Sequence, residues 1–227
     1  MIDDLKKAVH LARYGFQAKM QVVCMIIFVV LGMVMELASK GTYWLGAYFI
    51  IIGPIYFSQL LYGLGMSDIV ATSPYKKRLQ TSMPALGNFV FGVITISILA
   101  IIKYLEIQWY PQNAKENIVV LLMVGFMCFI LNLYSATVYK YYALSVIVLL
   151  APIMIFSYTF TTSSFDHFQN SFWGVLAEKL SFGPTVLLCY LCVALGAFLQ
   201  YAISCALYKK PLSEHAQGMM MRKYLKG

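Results

Sequence analysis

The sequence predicts an all-α polytopic membrane protein with six transmembrane helices, and three observations carry that fold class. Charged residues are absent from 20–35, 41–67, 79–102, 117–139, 141–165 and 180–208, the basic residues gather in alternate connections, and 61% of the 227 residues are hydrophobic. A bilayer core about 30 Å thick needs roughly 20 apolar residues at about 1.5 Å of rise each, so every run can cross it, the first with help from Leu37 and Ala38. Spans are predicted at approximately 20–38, 42–66, 81–103, 117–139, 142–162 and 184–208, in a single transmembrane domain covering 1–227.

The amino-terminal stretch, 1–18, places Ile2, Leu5, Val9, Ala12 and Phe16 at spacings of three and four, with Asp3, Asp4, Lys6, Lys7, His10 and Arg13 between them. That period predicts an amphipathic elbow helix lying in the interface, although Leu11 falls on its polar side. It precedes a retained first span, because no convincing small-x-small cleavage site follows it.

Residues 67–79 connect the second and third spans. Ser67 can cap a short helix with Asp68 in its first turn, Pro74 ends it, and Lys76, Lys77 and Arg78 follow. The stretch from 117 to 165 carries a single charge, Lys140. As one helix those 49 residues would extend about 73 Å, more than twice the hydrocarbon thickness. The chain must therefore reverse, and a lysine flanked by Tyr139, Tyr141 and Tyr142 suits a headgroup-level turn.

In the connection 163–183, Phe165, Phe168, Phe172, Leu176 and Leu180 recur at helical spacing, with Ser163 or Ser164 as a cap and Trp173 at the edge. This predicts an interfacial or re-entrant outer hairpin before Gly183 and Pro184 restart the last span. A basic tail, 209–227, closes the chain.

Orientation follows from the basic residues. The two termini, the 67–79 loop and Lys140 hold 13 of the 17 Lys and Arg, whereas Lys40, Lys103, Lys115 and Lys179 lie on the opposite side. Positive residues beside spans are retained in the cytoplasm, so both termini are expected there. The net charge of +8 points to anionic lipid and not to nucleic acid, because the basic residues flank spans without a groove-lining platform. The five cysteines all fall in apolar segments, where a thiol behaves as a small hydrophobe, and Cys189-x-x-Cys192 lacks an electropositive turn.

Catalytic patterns are missing. No His-Glu-x-x-His and no Gly-x-x-x-x-Gly-Lys-Ser/Thr occurs, and His10, His167 and His215 lie outside the spans, so no catalytic, metal or cofactor site is expected on this chain. Ion-coupled carriers place ionisable residues at depth. Glu36 is read as the sole carboxylate near a span interior, and its proximity to Lys40 predicts snorkelling, with an outer gate as the sharper role.

These features together resemble the six-span permease of a bacterial type 2 ABC exporter. The resemblance rests on the amphipathic amino-terminal helix, on 67–79 with Ser73-Pro74-Tyr75-Lys76-Lys77-Arg78 at the coupling-helix position, on the turn at Lys140, and on the hydrophobic hairpin. Minimal architecture is similar to permeases that export amphipathic peptides such as phenol-soluble modulins. The chain departs from fused eukaryotic members, which have outer disulfides.

The resemblance implies a multi-pass protein of the bacterial cell membrane. A separate ABC ATPase would carry ATP and Mg, and a second permease copy, identical or related, would complete the assembly. Asp68, Ile69, Ser73, Pro74, Lys76, Lys77 and Arg78 would couple to the ATPase, and Leu5, Val9, Ala12 and Phe16 would form the elbow. Tyr56, Phe57, Gln59, Tyr62, Met154, Phe156 and Tyr158 are candidates to line the path, and Glu36, Phe172 and Trp173 to gate it on the outside. Membrane lipids and an amphipathic peptide are the expected companions. A six-span immunity or assembly protein, or an ion-driven carrier, is the alternative.

Overall fold

The computed structural model describes residues 2–13, 18–40, 44–65, 73–161, 172–214, 216 and 218, the side chains of 2–5 and 158–161 excepted. All regular structure among them is helical. The chain runs through α1 (Ile2–Ala12), α2 (Ala18–Ser39), α3 (Leu45–Gly65), α4 (Lys76–Gln80), α5 (Ser82–Trp109), a 3-10 turn (Pro111–Asn113), α6 (Ala114–Thr137), α7 (Tyr142–Thr161), α8 (Phe172–Lys179) and α9 (Phe182–Leu207).

The six apolar runs become α2, α3, α5, α6, α7 and α9. Five of them, α2, α3, α5, α6 (counted from Pro111) and α9, are long and apolar enough to cross a membrane, and α7 carries a shorter apolar stretch, Tyr142–Ser157. The reversal falls between Thr137 and Tyr142, where the Lys140 and Tyr141 amides donate to the Thr137 carbonyl at 2.9 and 2.8 Å. Lys40 ends α2 with a φ of 53°, the left-handed conformation that stops a helix by turning its next amide back.

Two boundaries differ from expectation. The third span was expected to stop at 103, yet α5 continues to Trp109, taking Lys103 and Glu106 into the helix. The basic run was expected to trail a short helix, but Lys76, Lys77 and Arg78 themselves form α4, after Pro74. Ser73 starts that turn, its carbonyl accepting from the Lys76 amide at 3.1 Å and its hydroxyl from the Tyr75 amide at 3.2 Å.

The core is built around α6, whose Val119 to Val124, Met127 and Leu131 are all buried. α9, α5, α3, α7 and α8 each pack against it. The closest approach is at Gly125, where a Cβ would lie 2.7 Å from Cys189 Sγ, so only glycine lets α9 lie this near. α2 packs on α3 and leaves Ile26, Ile27, Val30 and Val34 more than half exposed, as are Leu144, Ile147, Leu187, Leu191 and Phe198 on α7 and α9. An apolar surface that broad is the surface of a chain seated in lipid, since soluble monomers rarely expose more than a few hundred Å² in one patch.

Candidate functional site

One end of the bundle gathers the basic elements. Ala8 and Ala12 of α1 are buried in a cluster with Phe57, Leu60 and Leu61 of α3, Leu79 of α4 and Met83 of α5. Leu11, read from the sequence as lying on the polar side of α1, packs against this cluster, whereas Val9 is 44% exposed. The helix is therefore turned so that its small alanines, and not its larger Val9, meet the bundle. Lys7 places its ammonium 5.9 Å from the centre of the Tyr75 ring, and Gln80 donates to the Gly65 carbonyl at 2.7 Å. α1 and α4 are thus both tied to the bases of α3 and α5.

The turn after α6 and the tail complete this end. Lys140 donates to the Lys210 carbonyl, Lys210 to the Tyr141 hydroxyl, and the Ser213 amide to the Tyr139 carbonyl at 3.0 Å. Burial, and then the Lys76 ammonium, push the Lys140 pKa below the ordinary lysine value, and burial beside Tyr62 and Tyr134 pushes Tyr139 up.

A groove of about 670 Å³ opens between α1, α2 and α3, walled by Val9, Val22, Met25, Tyr56, Phe57 and Phe91. Arg13, Lys19 and Gln21 lie among its lining residues, the charged and amide groups of a largely apolar groove. An aliphatic chain with an anionic head matches such a surface.

Inward from this basic end, buried polar groups join α3, α5 and α9. Ser58 donates to Asn88 Oδ1 at 2.5 Å, Asn88 Nδ2 to Gln200 Oε1 at 2.9 Å, and the Tyr62 hydroxyl lies 3.0 Å from Ser204 Oγ. A cavity of about 20 Å³ beside Asn88 and Asn132 has room for about one water.

At the opposite end lies a buried ionic cluster. Lys103 of α5 forms an ion pair with Glu36 of α2, a second with Glu106 at 3.3 Å, and donates to Asn117 Oδ1 of α6 at 2.9 Å. Glu36, Lys103 and Asn117 are wholly buried and Glu106 is 1% exposed. Glu36 therefore does not snorkel towards Lys40 as expected; it turns inward to Lys103. Nor is it the sole carboxylate at depth, because the longer α5 buries Glu106 one turn beyond Lys103. Taking ions out of water costs several kcal/mol each, and the pairing with Lys103 is what offsets that cost.

The sequence-predicted site residues fall into separate places. Tyr56 and Phe57 wall the groove, Gln59 is half-buried, and Tyr62 turns to Ser204. Met154 is 70% exposed, while Phe156 is buried among Trp44, Phe126 and Trp173, with ring centroids 5.7 Å apart in the Phe156–Trp173 pair. Phe172 edges onto Trp173 and is otherwise exposed. Within one chain the path-lining candidates whose side chains are described thus lie apart. Leu5 lies on α1 and Tyr158 on α7, their side chains outside those described; Asp68, Ile69 and Phe16 lie outside the described residues altogether. No group of three or more His, Cys, Asp or Glu poised for a metal occurs among the described residues, and all five cysteines are free.

Sequence reasoning missed Lys103, Glu106, Asn117, Asn88 and Gln200. One signal was available: Lys103 and Glu106, three residues apart, share a helix face with Leu99 and Ile96, a placement that asks for partners from a neighbouring helix.

The described residues define an all-helical protein with five helices long and apolar enough to cross a membrane, and with an ionic cluster buried among them. No protein-family model matches the chain, and neither does any curated protein or solved structure.

Proposed function

We propose that the chain is the membrane-spanning subunit of an ATP-driven exporter, moved by a separate ABC ATPase docked on its basic end. One observation carries this reading: α1 and α4 meet the bases of α3 and α5 in a single apolar cluster through Ala8, Ala12 and Leu79, while Lys77 and Arg78 stay exposed. A push on α4 is then delivered through this packed cluster to two long helices. α7 serves as the sixth span, the basic end faces the cytoplasm, and a second copy supplies the other half of the path. Tyr56 and Phe57, with the cations Arg13 and Lys19, give the groove beneath α1 the character an amphipathic peptide needs.

The test is to look for an ABC ATPase reading frame adjacent to the one encoding this chain, to purify the two products together and to measure ATP hydrolysis in vesicles; absence of such a frame counts against the reading. Coupled hydrolysis that fails when Lys76, Lys77 and Arg78 are all replaced by Gln, with the fold intact, supports the reading. Unchanged association and transport in that variant would overturn the docking role.

The buried Glu36–Lys103–Glu106 cluster favours a second reading, an ion-driven carrier, because charges at depth are the hallmark of ion pathways. Transport that persists without any ATPase but collapses with the ion gradient distinguishes it.

A further inference from the structure

Among the described residues, the two buried carboxyl groups of the ionic cluster, Glu36 and Glu106, share a single ammonium, Lys103. α5 contributes Lys103 and Glu106, α2 contributes Glu36, α6 contributes Asn117 and, half-buried within electrostatic reach of Lys103, Glu116. α3 brings its backbone close there: a Cβ on Gly46 would stand 2.6 Å from Glu36 Oε2. Of the other lysines on this side, Lys40 lies over the Tyr110 ring at 5.2 Å, Lys115 pairs with Glu178 at 3.3 Å, and Lys179 is exposed. One ammonium therefore faces two buried carboxyl groups, and among the described residues Glu36 Oε2 and Glu106 Oε1 have no hydrogen-bond partner.

We propose that Glu36 and Glu106 hold one proton between them at neutral pH, making the cluster a proton-binding site where α2, α3, α5 and α6 meet. With one of these two carboxyls protonated the Glu36–Lys103–Glu106 group is neutral: the carboxylate pairs with Lys103, and the acid has a proton to donate from an oxygen that is otherwise orphaned. The alternative, a net negative charge in a low-dielectric bundle, is the costlier state. The proton comes from water and returns to it, so nothing else is consumed. Because the holders sit on different helices, binding and release of that proton are linked to how α2 and α5 pack. The inference is independent of the ATPase reading.

The test is infrared absorption of the intact protein in lipid vesicles at neutral pH, with glutamate labelled in its carboxyl carbon so that a protonated carboxyl is recognised by its isotope shift. Wild type is expected to show one protonated glutamate, E36Q and E106Q none, and E116Q the same single band as wild type. K103M, which removes the ammonium, is expected to double the band. Absence of a protonated carboxyl in wild type would overturn the proposal, and so would a band that survives in both E36Q and E106Q. Absence of the band from wild type overturns the proposal even if a variant fails to fold.

Discussion

Gly32 of α2 and Gly46 of α3 hold two helix backbones in direct contact beside the buried Glu36 carboxylate. A Cβ on Gly32 would lie 2.7 Å from the Gly46 carbonyl oxygen, and one on Gly46 would lie 2.7 Å from the Glu36 amide nitrogen as well as against its carboxylate. Small residues of this kind let helices approach in lipid, where no hydrophobic force draws them together.

Replacing Gly46 by Ala should therefore destabilise the chain by about 1–3 kcal/mol, the usual cost of forcing a methyl into a packed contact. Gly63 lies on the same helix with nothing within 4 Å of its Cβ position, so G63A should be neutral or stabilising. Unfolding of both variants in detergent by denaturant would check the difference, and equal behaviour would count against the close contact.

Asn88 bridges α3 and α9 by accepting from Ser58 and donating to Gln200. N88A leaves both partners buried, and a loss of about 1–2 kcal/mol is expected, less than in a soluble core because the unfolded chain in a membrane also finds partners. A double-mutant cycle with Q200A measures the bond itself. Coupling near zero would mean that the two side chains do not meet.

Leu79 is 1% exposed and joins α4 to α1, α3 and α5. L79A should cost about 2–5 kcal/mol as a buried leucine truncation. On the proposed exporter reading it should also slacken the contact between α4 and the bundle, so that ATPase binding survives while transport per ATP hydrolysed falls. Loss of both activities in parallel would argue for a merely structural leucine.

The helices were legible to differing depths. Charge-free length located α2, α3, α6, α7 and α9, because the cost of burying charge in lipid is written directly into composition. The turn at Lys140 was legible for the same reason. The end of α5 was not: Lys103 looks like a boundary when read locally, and becomes interior only because Glu36, 67 positions earlier, arrives to meet it. Distance in sequence hides that pairing, whereas the i, i+3 spacing of Lys103 and Glu106 was visible. Leu11 was misplaced because α1 turns its alanines inward for close packing, a preference that a count of apolar positions cannot register. The path-lining candidates were chosen for aromatic and Met character, and the fold distributes them between the groove, the lipid-facing surface and a packed aromatic cluster.

Lys140 gives the chain a pH dependence of definite sign. Burial and the Lys76 charge hold its pKa below the ordinary 10.5, so the folded chain binds this proton less tightly than the unfolded one. Where the folded chain has released the proton and the unfolded chain still keeps it, unfolding takes up a proton, and stability rises with pH. That window lies just below the ordinary lysine value. At lower pH both states are protonated and the full penalty is present. K140M should flatten the alkaline rise in the unfolding midpoint, and K76Q should reduce it by removing the second cause while leaving burial in place. A midpoint that falls through this window in wild type as much as in K140M would show that Lys140 is not held against the turn and tail as described.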